Sequence, residues 1–211
     1  MLSRRVLPAL LFLGLLGGCT ASPPLPAAGE LLDAAKANFT AVRSLHFSVV
    51  VNGVLPGLPL SKLEGNANLA GHGQATGSAE FGDRKFSFTV SGDKATTTGT
   101  DGHETRETTP FTVGRYLGPD SGLMSLLTEI RQPQTEIRET IQHVDGYRVG
   151  GTVAQAVAAK LVPQIRDDVN VKIWVTAAQP RRFARLWLQV PPATERDSPV
   201  MYEVLLTDQR P

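Results

Sequence analysis

The sequence predicts an α+β fold, an antiparallel sheet covered on one face by three short helices. Two patterns carry that expectation. Apolar and polar residues alternate through most of the chain in runs broken by glycine-rich turns. That is the signature of half-buried strands joined by hairpins. Three further segments repeat their apolar residues at helical spacing, which supplies cover for one side of such a sheet.

The chain opens with a segment that is not part of the fold. Arg4 and Arg5 form a basic head, and Val6 to Leu16 is an apolar run too short to span a bilayer. Gly17-Gly18-Cys19 follows. A basic head, an apolar core and small residues before the cut mark residues 1–18 as a signal peptide. A cysteine directly after the cut has the form of a bacterial lipobox, so Cys19 is the expected lipidation site. It is the only cysteine of the chain, so an exported protein that could hold disulfides has no internal bridge. Acyl chains on Cys19 would anchor the protein, each buried methylene adding roughly 0.8 kcal/mol of membrane affinity. Residues 19–29 then read as the lipidated cysteine and a Pro-rich spacer. Cleavage takes two of the 21 Lys and Arg and none of the 20 Asp and Glu. A nearly neutral mature chain gives no reason to expect nucleic acid as a partner.

Residues 30–211 have the size of a single domain. Glu30 to Arg43 places Leu32, Ala35, Phe39 and Val42 on one helical face. Leu45, Phe47, Val49 and Val51 then alternate as a strand. From Leu63 to Glu107 the turns Gly71-His72-Gly73, Gly82-Asp83, Ser91-Gly92-Asp93 and Asp101-Gly102 predict a meander that includes the strand Phe86, Phe88, Val90. Ser121 to Arg131 spaces Leu123, Leu126, Leu127 and Ile130 as a helix, capped by Asp120 or Ser121 and closed before Pro133. Thr152 to Val162 is the third helix, with Thr152 and Gln155 as a capping box. Strands through Val171, Ile173 and Val175, through Leu186, Leu188 and Val190, and through Tyr202, Val204 and Leu206 complete the chain.

Catalytic patterns are missing. His46, His72, His103 and His143 have no ligand spacing. No serine sits in a nucleophile elbow, and the glycines from Gly71 to Gly77 lack the lysine and the following helix of a phosphate loop. Glu104/Glu107, Glu136/Glu139 and Asp167/Asp168 read as solvated faces, and Arg181, Arg182 and Arg185 as a hairpin tip at Pro180. No metal, cofactor or catalytic residue is expected. The segment Val54 to Leu60 is unusual in the other direction. It joins two strands yet carries Val54, Leu55, Leu58 and Leu60. A loop of that kind either packs on the core or borders an apolar opening.

Parity places Phe47, Val49, Val51, Phe86, Phe88 and Val90 on one face of the sheet, with Leu123, Leu126, Leu127 and Ile130 opposite. A long antiparallel sheet curls under its own twist. Helices in its hollow side need not fill it, so these residues line either a packed core or an apolar cavity.

The order of these features resembles the mycobacterial lipoprotein family of LppX, LprA, LprF and LprG. The match runs from Cys19 through Val42-Arg43-Ser44 into Leu45-His46-Phe47, and through Pro56-Gly57-Leu58 to the meander. It continues in the Leu123 to Ile130 helix, Gly150-Gly151-Thr152-Val153 and the Val171 to Val175 strand. The resemblance implies a strongly curved sheet, a half barrel with helices on its concave face enclosing an apolar cavity for acyl chains. Val54, Leu55, Leu58 and Leu60 would border its mouth. It implies a monomeric lipid carrier, held at the cell membrane by its lipid anchor and facing the periplasm. An envelope lipid or glycolipid would be its ligand and a membrane exporter a further partner. Two other readings remain: an assembly lipoprotein with a filled core, or a periplasmic lipid-modifying enzyme.

Overall fold

The computed structural model describes residues 24–109, 111–118, 121–192 and 198–211. The signal peptide and Cys19 lie outside the described residues. Helix α1 (Ala28–Phe39) leads into a meander of six strands: β1 (Ser44–Asn52), β2 (Leu60–Asn68), β3 (Gln74–Phe81), β4 (Arg84–Ser91), β5 (Lys94–Gly99) and β6 (Glu104–Thr108). Helices α2 (Val113–Leu117) and α3 (Gly122–Glu129) follow. The chain then runs through β7 (Arg131–Ile141), β8 (Val144–Val153), α4 (Gln155–Leu161), β9 (Val169–Thr176), β10 (Phe183–Val190) and β11 (Val200–Arg210).

All eleven strands form one antiparallel sheet in the order β6-β5-β4-β3-β2-β1-β11-β10-β9-β8-β7. The first six strands run outward from β1 and the last five run back, so β11 pairs with β1 at the centre. The sheet does not close: β6 and β7 are its two edges. The segment that joins β6 to β7 therefore has to pass from one edge to the other, and α2 and α3 lie on it. Exposed edges invite pairing with other chains unless charge or proline blunts them. Here β6 carries Glu104, Arg106 and Glu107, and β7 carries Pro133 with Arg131, Glu136, Arg138 and Glu139.

Alternation in β1 is strict, with Leu45, Phe47, Val49 and Val51 buried between exposed or half-buried neighbours. These residues share one hydrophobic cluster with Leu31, Leu32, Ala35 and Phe39 of α1 and with Leu123, Met124, Leu126 and Leu127 of α3. Helix α1 packs on β7, β9 and β10, while α3 packs among α1, α2 and α4.

Several element boundaries differ from the sequence expectation. Helix α1 stops at Phe39 rather than Arg43, because the Val42 N–H donates to the Phe39 carbonyl and the Arg43 N–H donates to Arg210 of β11. The backbone there already serves the sheet. It also starts earlier, at Ala28, and the Pro26 carbonyl accepts from the Thr135 hydroxyl of β7 at 2.7 Å. Ser121 caps α3 as expected, accepting from the Met124 N–H at 3.3 Å. That helix ends at Glu129, and Ile130 is extended.

The capping box at Thr152 and Gln155 does not form. Thr152 and Val153 end β8, Ala154 is the N-cap without a side-chain bond, and the Gln155 N–H is met by the Asp168 carboxylate at 2.8 Å. Asp168 also pairs with Arg131, so it is more than a solvated face. The arginines at Pro180 are likewise engaged rather than free at a tip. Arg181 donates to Thr176 and Ala177, Arg182 to the Gln209 carbonyl, and Arg185 to Glu203. Helix α2 and strands β7 and β8 are elements that the periodicity of the sequence did not single out.

Candidate functional site

The two halves of the sheet present different inner faces. On β8 to β10 the inner positions carry Val149, Val171, Ile173, Val175, Leu186 and Leu188, all with no exposure. Branched side chains there fill the space beneath the helices. On β2, β3 and β5 the inner positions are small. Ala67 and Ala75 lie opposite each other, Ala79 faces Leu63, and Ala95 faces Val90. Between Phe47 and Phe88 the register places Gly65 against Gly77. A Cβ at either glycine would run into the backbone of the neighbouring strand, so neither tolerates a side chain. That row therefore crosses two strands with nothing projecting inward.

The consequence is a cavity of about 470 Å³ over this half. Sheet residues on its wall are Phe47 and Val49, Leu60 and Leu63, Ala75, Ala79 and Phe81, Phe86, Phe88 and Val90, then Ala95, Thr97 and Glu107. Leu58, the Thr109, Phe111 and Thr112 stretch, Val113, Tyr116 and Leu117 of α2, Leu123 of α3, residues 161–164 and Tyr202 and Val204 of β11 also line it.

Of the ten residues expected on one inner surface, Phe47, Val49, Phe86, Phe88, Val90 and Leu123 lie on the cavity wall. Phe86, Phe88 and Val90 are only half-buried because they face the cavity rather than a packed neighbour. Val51, Leu126 and Leu127 are instead part of the packed core. Val51 pairs with Tyr202 but has no partner on β2. Helix α3 is enclosed by three other helices, so only the start of its apolar stripe reaches the cavity. Ile130 is off the wall too, since it has left the helix and its side chain sits against Gly151.

The Val54 to Leu60 segment does both things that an apolar loop can do. Leu55 is buried in the core, Leu58 and Leu60 line the cavity, and Val54 is 85% exposed. The Gln164 amide donates to the Gly57 carbonyl at 3.2 Å and ties the segment to the turn after α4.

Charge is nearly absent from this wall. Burial drives the Tyr202 hydroxyl far above its ordinary range, and the neighbouring Tyr116 adds to the shift. Burial raises Tyr116 as well, against a smaller opposing effect of Arg115. Both phenols therefore stay neutral near pH 7. The hydroxyl oxygens of Thr109 and Thr112 accept from the Phe111 and Arg115 N–H groups. Glu107, exposed on the edge strand, is the carboxylate of the lining. Among the described residues no three His, Cys, Asp or Glu are grouped to hold a metal ion, and the four histidines are apart, three of them at exposed hairpin turns.

The wall residues missed at the sequence level fall into two groups. The alanines of β3 and β5 carry no hydrophobic weight in a periodicity count, although their smallness makes the space. The α2 residues had a signal: Thr112 before Val113, Tyr116 and Leu117 at i, i+3 and i+4.

An open antiparallel sheet with a neutral, apolar hollow on one half has the geometry of a site for an apolar guest. Over residues 27–203 the sequence matches the LppX_LprAFG lipoprotein family, and the chain belongs to that family. Among its relatives is the lipoarabinomannan carrier protein LprG of Mycolicibacterium smegmatis, 29% identical over 184 residues, 77% of this chain and 75% of that protein. The protein of the same name from Mycobacteroides abscessus is 30% identical over 168 residues, 76% of this chain and 75% of its own length. The crystal structure of LprF from Mycobacterium bovis superposes with a TM-score of 0.72 at 19% identity, covering 86% of this chain and 92% of LprF. That of Mycobacterium tuberculosis LppX gives 0.68 at 16% identity, covering 85% and 94%. At these identities the two structures establish the shared fold.

Proposed function

We propose that this protein is a membrane-anchored carrier. It takes acyl chains of an envelope lipid or glycolipid into the cavity and moves them across the periplasm. The observation that carries the reading is the apolar hollow of about 470 Å³ under β1 to β5. It falls within the range of roughly 300–1,000 Å³ usual for small-molecule sites. Removing acyl methylenes from water stabilises the complex by about 0.8 kcal/mol each, and no covalent chemistry is required. The carrier names of the LprG relatives support the same reading. Cys19 is the proposed anchor, which sets the domain at the cell membrane on a short Pro-rich tether. A half-barrel curvature of the sheet around the guest and hand-over from a membrane exporter belong to the same proposal.

The test is direct. A chain beginning after Cys19 is purified without detergent from its native host and weighed intact under non-denaturing conditions. A bound lipid, released on denaturation and in substoichiometric to equal amount, is the expected result. Protein that carries no lipid after expression in that host, and takes up none from vesicles of host lipid, would favour the assembly-lipoprotein reading instead.

A further inference from the structure

The outer face of the sheet, opposite the cavity, carries a second recess that the carrier role does not use. Asn170 and Lys172 of β9, Trp187 and Gln189 of β10 and Met201 of β11 alternate with the buried inner residues of their strands, so they project outward. With Glu136 of β7 and Arg148 of β8 they enclose about 240 Å³. That is smaller than the roughly 300–1,000 Å³ typical of drug-sized ligands, and suits one ring or a terminal unit of a longer molecule.

The floor of this recess is an unusual outer surface. Trp187 is on it, and Trp174, the other tryptophan of the chain, packs against it. Trp174 meets Trp187 edge-on with centroids 4.8 Å apart, and the Arg185 guanidinium lies 4.4 Å above the Trp187 ring. Trp174 is 2% exposed although it is on the solvent side, with its indole N–H donating to Glu139 at 2.8 Å. Each charge around the recess is matched. Lys172 pairs with Glu136, Arg148 with Glu136 and Glu139, and Arg185 with Glu203. Three carboxylates against three cations leave no net charge to attract an ion. What remains unspent is polar and neutral: the exposed amides of Asn170 and Gln189, beside the half-buried Trp187 ring.

We infer that this recess is a carbohydrate-binding site for a neutral, polyhydroxylated ring. The Trp187 indole supplies the apolar surface for the C–H face of a sugar. The two amides and the paired carboxylate and guanidinium donate to and accept from its hydroxyls. A carboxylated or phosphorylated sugar finds no uncompensated cation.

Because Trp187 lines this recess and Trp174, the other tryptophan of the chain, packs against it, their emission reports on this face and not on the apolar cavity. The experiment titrates the chain lacking its signal peptide and Cys19 with mannotriose and maltotriose, and with a trigalacturonate control, while following tryptophan emission. A saturable change with a neutral trisaccharide is expected. In the double variant Asn170→Ala, Gln189→Ala it should weaken by about tenfold or more, because two hydrogen-bonding amides are gone. Both positions are exposed, so the melting temperature should be unchanged. Trp187→Leu, read by calorimetric titration, serves as a second variant that removes the flat ring; undiminished binding there would overturn the assignment. No saturable response to either neutral sugar, a response that survives the double variant, or preferred binding of the trigalacturonate each overturns the assignment.

Discussion

Val90 condenses the functional argument into one side chain. It faces Ala75 on one neighbouring strand and Ala95 on the other, and it lies on the cavity wall half-buried. A bulky ring in that place has room, which a ring in a filled core would not. Val90→Trp is therefore expected to abolish lipid loading, read as loss of co-purified lipid, with the melting temperature close to wild type. Destabilisation by about 1–3 kcal/mol, the usual result of overpacking, would mean that the space closes in solution. At the outer face, Glu136 gives a pH prediction. Burial alone would raise its pKa, yet hydrogen bonds from Lys172 and Arg148 outweigh that and hold it below its ordinary 4.5. A carboxyl with a lowered folded-state pKa stabilises the fold above the unfolded value and loses that contribution as pH falls through the folded one. Wild type should exceed Glu136→Gln by about 0.5–1 kcal/mol near neutrality. The gap should shrink as unfolding is followed from about pH 6 to about pH 3. A constant gap would mean that the carboxyl titrates alike in the folded and unfolded chain, so that its two ion pairs do not favour the charged form.

Among the elements, α4 shows how a local rule can be overruled at a distance. Its own sequence offers Thr152, but β8 holds that residue paired with Asn170. Asp168, thirteen residues beyond Gln155, meets the free N–H instead. Asp168→Ala should cost about 0.5–1 kcal/mol in chemical denaturation, and Asp168→Asn about half that or less, since an amide oxygen still accepts. Equal losses would point to the Arg131 ion pair rather than the cap. The same competition explains what was legible in the sequence. Strict alternation in β1, and the four glycine turns of the meander, came through because each strand has one wet face and each turn needs a residue free to bend. β7 did not, because an edge strand with charged residues, Pro133 and register shifts has no period-two signal to read, and β8 did not, because its buried positions do not alternate. The cavity was half legible. Phe47, Val49, Phe86, Phe88 and Val90 could be assigned to one face, but whether that face is filled depends on Ala75, Ala79, Gly65 and Gly77. Those residues act by being small, and only the strand register places Gly65 and Gly77 between Phe47 and Phe88, Ala75 beside Val90 and Ala79 beside Phe86.

For the whole molecule, the division of the sheet into a filled and an unfilled half has a dynamic consequence. β8 to β10 are locked beneath the helices by branched side chains with no exposure, and α1 packs directly on β7, β9 and β10. β2, β3 and β5 have alanines and glycines on their inner face, β4 has half-buried Phe86, Phe88 and Val90, and the cavity lies above them. Local opening costs least where few apolar contacts are lost, so amide hydrogens exchange at different rates in the two halves. In protein freed of lipid, amides of β9 and β10 should exchange at the rate set by global unfolding. Those of β3 to β5 should exchange faster, through local opening. A guest that binds only the closed state adds RT ln(1 + [L]/Kd) to the stability of whatever it contacts. Loading with host lipid should therefore slow exchange in β3, β4 and α2, by about tenfold for each 1.4 kcal/mol of binding free energy, and leave β9 and β10 almost unchanged. Mass-spectrometric exchange on the lipid-free and lipid-loaded chain separates the outcomes. Protection gained first in β9 and β10 would place the guest on the other half of the sheet. Equal slowing everywhere would mean that the domain opens only as a unit, and that the hollow half is as rigid as the filled one.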